Sequence, residues 1–240
     1  MSRVDSWQVH EGAVSTAGFS PDGRFIATSG ANGDVKLWDA KTHREVRRFK
    51  ARGKKLQCLS FSPDGRLLAG PEDAYNDKPR VFIWDVNKGS LLLMLDVPRM
   101  HGSDGLKPSL AFSPDGKLLA TAHRDHTARL WEIPSGNRKA PLRGRIASVM
   151  AVAFSPDGKT LATGSFDRKV KLWNIATQQE VATLEVLPGS GMSLRFSPDG
   201  RTLAAGSWLR PELNMSLWQV PSFEEIAAAE ATLKTGSKQP

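Results

Sequence analysis

The chain has 240 residues, 40% of them hydrophobic, and a formal net charge of +8. This is enough for a substantial core, and no run of about 18 apolar residues exists to form a membrane-spanning helix. The opening residues, Met1 to His10, lack the apolar stretch of a signal peptide, and the single cysteine, Cys58, excludes an internal disulfide.

In chain order, residues 4–9 (Val-Asp-Ser-Trp-Gln-Val) read as a lone strand. The pentapeptide Phe-Ser-Pro-Asp-Gly then occurs five times, at Phe19–Gly23, Phe61–Gly65, Phe112–Gly116, Phe154–Gly158 and Phe196–Gly200, with starts 42, 51, 42 and 42 residues apart. A period near 42 fits one supersecondary unit and is too short for a domain. Ser-Pro-Asp-Gly spells a turn: Pro fixes φ, Asp bonds neighbouring backbone and Gly accepts positive φ. Apolar runs on both sides make each copy a β-hairpin.

A second marker closes each unit. Trp38, Trp131 and Trp173 stand 19 residues after their Phe, Trp84 stands 23 after and Trp218 stands 22 after. Each ends an alternating run such as Val35-Lys36-Leu37-Trp38 or Val170-Lys171-Leu172-Trp173, the pattern of a strand with one buried face. An indole at one place in every unit predicts a ring filling the same gap between sheets each time.

The predicted strands are 13–19, 24–30, 34–38 and 44–50 in unit one, then 55–61, 66–70, 80–84 and 90–95 in unit two. They are 107–112, 117–122, 127–131 and 138–143 in unit three, and 148–154, 159–164, 169–173 and 179–185 in unit four. Unit five gives 191–196, 201–206, 214–218 and 224–229. The last of these competes with a helix started by a capping box at Ser222 and Glu225, and its correspondence with Glu180-Val181-Ala182 favours strand. Cys58 falls in a strand pattern and is expected to be buried and inert. Four antiparallel strands per unit, repeated without linkers, predict an all-β fold: a β-propeller of five four-stranded blades, either a small ring or an incomplete part of a larger one. The propeller is expected over residues 1–233, with repeats at about 10–50, 51–97, 98–144, 145–186 and 187–230, and a loose tail over 234–240.

The combination of Phe-Ser-Pro-Asp-Gly, Leu-Ala-Thr-Gly-Ser-Phe-Asp at 161–167 and Val-Lys-Leu-Trp at 170–173 resembles the WD-repeat β-propeller family over about residues 8–230. The resemblance implies a buried hydrogen-bonded set in each blade: a His before the first strand and an Asp between strands two and three, joined through Ser or Thr to the Trp. By position the Asp is Asp125 or Asp167, with Asn32 in unit one. The His is His10 in unit one, but Arg52, Ser103, Arg145 and Leu187 follow, so no unit holds the complete His–Asp pair. Trp-Asp itself stands only at 38–39 and 84–85. An N-terminal strand commonly completes the last blade in this family, and 4–9 is the candidate here, with 224–229 competing for the same slot.

The irregular connections are the functional signal. Unit two carries four extra residues around Pro71–Pro79, unit five three extra around Trp208–Glu212, and the link from Trp84 to Phe112 five extra around Pro98–Pro108. All three emerge on the rim opposite the Ser-Pro-Asp-Gly turns, and variable loops on a rigid scaffold are where binding sits. The candidate partner face is Asp73, Tyr75, Asp77, Arg80, Arg99, His101, Asp104, Trp208 and Arg210, rich in residue types that anchor interfaces. Trp38, Trp84, Trp131, Trp173 and Trp218 are expected to be structural, and the resemblance adds His10, Asp125 and Asp167.

These patterns predict a non-catalytic, cytoplasmic protein-interaction scaffold without metal or cofactor. An alternative is a nucleic-acid binder using the basic stretch Arg44–Lys55; another is an enzyme with a site at the propeller axis. An open arc would self-associate through exposed blade faces. His123-Arg-Asp-His126 supplies too few ligands for a metal by itself.

Overall fold

Each Phe-Ser-Pro-Asp-Gly segment turns the chain back through one repeated geometry. In the first copy the Ser20 hydroxyl donates to Asp22 Oδ1 (2.6 Å) and accepts from the Phe25 amide (2.9 Å), while the Arg24 amide donates to Asp22 Oδ1 (3.0 Å). The glycine that closes each turn has positive φ, between 70° and 74° in all five copies, where a side chain would be strained. Serine and aspartate thus take up the turn's backbone donors locally, independent of tertiary packing.

A computed structural model describes residues 6–51, 55–72, 79–100, 109–185, 193–206 and 215–220. The first sheet contains β1 (Val14–Phe19), β2 (Phe25–Gly30), β3 (Asp34–Asp39) and β4 (Glu45–Lys50). The second contains β5 (Ser60–Phe61), β6 (Leu67–Pro71), β7 (Arg80–Asp85) and β8 (Ser90–Asp96). The third has three strands, β9 (Leu110–Phe112), β10 (Leu118–Ala122) and β11 (Ala128–Glu132). The fourth has β12 (Val149–Phe154), β13 (Thr160–Ser165), β14 (Lys169–Asn174) and β15 (Glu180–Glu185); the fifth has β16 (Ser193–Phe196), β17 (Thr202–Gly206) and β18 (Met215–Gln219). Within every sheet the strands pair antiparallel in sequence order. The described residues form an all-β propeller of five antiparallel sheets. No helix among the described residues is long and apolar enough to cross a membrane.

The sheets stack through their inner strands, β1 on β5, β5 on β9, β9 and β10 on β12, and β12 on β16. Four apolar seams result. Leu37 and Phe49 meet Leu56 and Trp84 in the first; Ile83 and Leu95 meet Phe112 and Trp131 in the second. Leu130 meets Val149, Leu161 and Trp173 in the third, and Leu172 meets Leu194 and Leu203 in the fourth, with half-buried Trp218 against it. The register explains this sorting. Phe154 pairs with Leu161 and Leu161 with Trp173, so the three share the face turned to the preceding sheet, while Ala162 and Leu172 share the face turned to the next. At the perimeter two side chains stitch neighbouring sheets together. Arg47 donates to the carbonyls of Val86 (3.1 Å) and Asn87 (2.7 Å), and Gln178 donates to that of Ala140 (2.8 Å).

Four local expectations are corrected. The predicted first strand of unit two, 55–61, shortens to Ser60–Phe61 plus an isolated bridge from Leu56 to Glu72. The loop before it closes onto Gly70, where a Cβ would lie 2.9 Å from both Leu56 Cδ1 and Leu59 Cδ2. Cys58, in that loop, is half-buried rather than buried. The fourth strand of unit three, 138–143, survives only as bridges Trp131–Arg138 and Ala128–Leu142. There the Lys139 and Leu142 amides reach the carbonyls of Leu130 and Ala128, so three residues on one strand span two on the other, with Pro141 in the excess. Finally, residues 6–10 form no strand; Trp7 instead lies edge-on to Trp38, with ring centroids 6.4 Å apart, and stacks on His43 at 4.2 Å. The expected strand at 224–229 and the tail at 234–240 lie outside the described residues.

Candidate protein-interaction face

Beneath the rim lie the indoles and the groups that receive their N–H. Trp38, Trp84, Trp131 and Trp173 are buried and Trp218 is half-buried. In three sheets a threonine on the second strand accepts the indole proton: Trp38 Nε1 to Thr28 Oγ1 (2.9 Å), Trp131 Nε1 to Thr121 Oγ1 (2.8 Å) and Trp173 Nε1 to Thr163 Oγ1 (2.9 Å). What completes the set differs each time.

In the first sheet His10 Nε2 lies 3.0 Å from Thr28 Oγ1. Burial, reinforced by nearby Lys36, lowers the imidazole pKa. In the third sheet the imidazole comes from His123, placed after the second strand rather than before the first. Its Nε2 lies 2.7 Å from Thr121 Oγ1 and its Nδ1 3.1 Å from the Pro98 carbonyl. A carbonyl can only accept, so Nδ1 carries the proton and Nε2 accepts from the threonine. A one-way chain therefore runs Trp131 to Thr121 to His123 to Pro98. Burial pushes the His123 pKa down to about 4, consistent with a neutral ring.

In the fourth sheet Arg145 takes the place of histidine. Its Nη2 donates to Thr163 Oγ1 (2.6 Å) and to the Thr163 carbonyl, and its Nη1 donates to the Lys169 carbonyl (2.9 Å) and to Asp167 Oδ1 (3.0 Å). Both side chains of this ion pair are almost fully buried, 1% and 3% exposed. Burial lowers the guanidinium pKa and Asp167 opposes that shift. Thr163 now accepts from both Trp173 and Arg145, so its own hydrogen turns toward the Lys171 carbonyl at 3.5 Å. Asp125 is differently engaged, accepting from Thr127 (2.5 Å) and from Arg129 (2.7 Å) nearer the surface. The incomplete His–Asp pattern in the sequence therefore hides three completed indole sets. One of them uses a group the spacing rule did not pick, His123, while Arg145 stands at the histidine position itself. A His two residues after the threonine was the available signal for the one that was missed.

The antiparallel strand order puts the strand ends that lead into the inter-sheet links and into the connections between second and third strands on one rim, with the Ser-Pro-Asp-Gly turns on the other. Of the candidate partner residues, Arg80 opens β7 and pairs with Asp96 (3.0 Å) at the surface. Arg99 lies in the link after β8, where its carbonyl accepts from the Arg124 amide (2.8 Å). Asp73, Tyr75, Asp77, His101, Asp104, Trp208 and Arg210 lie outside the described residues. A shallow cavity of about 150 Å³ opens on this rim between Gly144, Ile146, Asp167, Lys169, Lys171 and Thr183.

The basic stretch Arg44–Lys55 is partly engaged within the protein. Arg48 pairs with Glu45 (3.0 Å), Arg47 spans to the second sheet, and Phe49 is buried. Arg44 and Lys50 are exposed, and residues 52–54 lie outside the described residues. No group of three or more His, Cys, Asp or Glu among the described residues is placed to hold a metal ion, and both His123 nitrogens are engaged by other atoms.

The family model for the WD domain, G-beta repeat, matches residues 1–39, 99–132, 137–174 and 182–209. The chain belongs to the WD-repeat family. Residues 40–98, which contain Gly70 in place of the threonine, fall between the matched segments. Among curated relatives, the chain is similar to the guanine nucleotide-binding protein subunit beta of Arabidopsis thaliana, with 27% identity over 57% of this chain and 36% of the relative. It is similar to the Protein LST8 homolog of Drosophila melanogaster (34% identity, 51% of this chain, 38% of the relative). It is also similar to the target of rapamycin complex subunit LST8 of Saccharomyces cerevisiae (27% identity, 54% and 56%). This WD-repeat chain thus matches between about a third and just over half the length of these relatives.

Proposed function

We propose that this WD-repeat protein is a non-catalytic, cytoplasmic scaffold that binds partner proteins on the rim bearing its irregular connections. The observation that carries the reading is the asymmetry between rims: five turns of one sequence on one side, connections of unequal length on the other. Several relatives are named as subunits of larger proteins or complexes, which agrees with a role in assembly. The mechanism is presentation. Stacked sheets, fixed by buried indoles, hold the loops so that docking orders few additional residues. The triple substitution Tyr75→Ala/Trp208→Ala/Arg210→Ala, with Arg80→Ala added in a second variant, tests the face. Quantitative affinity capture is expected to recover partners with the native chain and to lose most of them with the variants at unchanged melting temperature. Equal recovery would remove the rim from consideration.

A further inference from the structure

We propose that the two end sheets are mating faces, and that a second copy of this chain docks head to tail, the fifth sheet of one copy against the first sheet of the next. At every internal seam one sheet presents its forward face to the backward face of its neighbour, and the repeat makes these faces equivalent down the chain. The forward face is set by two positions on the third strand. They are filled by Val35 and Leu37, Val81 and Ile83, Ala128 and Leu130, and Val170 and Leu172, all buried. In the fifth sheet the same positions hold Met215 and Leu217, apolar as before but 66% and 60% exposed. The backward face is set by the Phe that opens each turn and by a residue at the start of the first strand. Leu56 and Val149 at the latter position are buried, whereas Val14 in the first sheet is 48% exposed; Phe19 is 67% exposed although Phe112 is buried.

The sequence therefore keeps the seam chemistry on both end sheets, while among the described residues it stays uncovered there. Met215 and Leu217 cannot be covered by Phe19 and Val14 of the same molecule, because both sets are exposed at once. The outer part of the first sheet's backward face is already closed by Trp7 over Trp38, so the open part is the inner part around Phe19 and Val14. Unpartnered blade faces of opposite kind make a heterologous contact, in which one copy's tail face engages another's head face and the two ends are chemically distinct. The occupant this selects is another sheet with the same rows of side chains, and a second copy supplies it.

Sedimentation velocity of the full chain from micromolar to near-millimolar concentration tests this. Native protein is expected to show species of twice the monomer mass and above, increasing with concentration. Phe19→Asp and Leu217→Asp, at exposed positions on opposite ends, are each expected to be monomeric when alone. Mixed in equal amounts they retain one intact head and one intact tail, and are expected to give a species of twice the monomer mass and nothing larger. Met215→Lys provides a second tail-face variant should Leu217→Asp not fold, judged by far-ultraviolet circular dichroism. A native chain that stays monomeric throughout, a folded variant that still associates alone, or a mixture that stays monomeric overturns the proposal.

Discussion

The Asp of the Trp-Asp pair acts as a local cap at the end of the third strand. Asp39 Oδ1 accepts from the amides of Thr42 (2.7 Å) and Lys41 (3.1 Å), and Asp85 Oδ1 accepts from that of Lys88 (2.8 Å). Asn174 does the same for Ala176 and Thr177, so any short side chain with a carbonyl oxygen serves. The group beneath the indole is similarly interchangeable, but its loss is not neutral. Arg145→Ala removes the ion-pair partner of buried Asp167, and is expected to cost about 3–5 kcal/mol in denaturant unfolding. His123 makes stability pH-dependent. Its pKa lies near 4 in the fold, against an ordinary 6.5. The unfolded chain therefore binds a proton that the folded chain does not. Stability contributed by His123 is complete above pH 6.5 and is lost as pH falls toward 4, by about 3 kcal/mol in all. Urea midpoints across that interval should fall less steeply for His123→Gln than for the native chain.

Among the elements, those written by local chemistry were legible and those decided by a neighbour were not. The five hairpins follow from Ser, Pro, Asp and Gly acting within five residues, and the strands ending in Trp follow from period-two alternation. The shortening of β5 was hidden because it depends on Gly70, which lacks the side chain that Thr28, Thr121 and Thr163 supply, and so lets residues 56–59 fold inward. Gly70→Thr, the substitution that would bring this unit into line with its siblings, is therefore expected to destabilise. A Cβ there meets Leu56 and Leu59 at 2.9 Å and the Cys58 carbonyl at 3.2 Å, and overpacking of this kind costs about 1–3 kcal/mol. The broken ladder near Pro141 was open to reading, since proline inside a strand run demotes it to an irregular edge. The buried ion pair was half visible: Asp167 stands where the resemblance puts it, but nothing local says that Arg145 is aimed inward. The connections of unequal length show in the sequence only as departures from the period.

For the molecule as a whole, the buried indoles are expected to set stability, and the proposed association runs through the end faces. Trp173→Ala is expected to cost about 3–5 kcal/mol by emptying the seam between the third and fourth sheets. The perimeter stitches act differently. Flat sheets arranged around an axis diverge outward, so packing is tight near the centre and loosest along the outer strands. Arg47 and Gln178 cross that divergence where apolar contact is thinnest. They tie the outer parts of adjacent sheets together and are expected to limit how far those sheets open, much as a tie-rod limits the spread of two walls. Arg47→Ala should leave the melting temperature nearly unchanged while amide exchange along β4 and β8 quickens. Loops carried at the far ends of those strands would then be held at a less constant separation, so a side chain that never meets a ligand would tune how well the scaffold fits one.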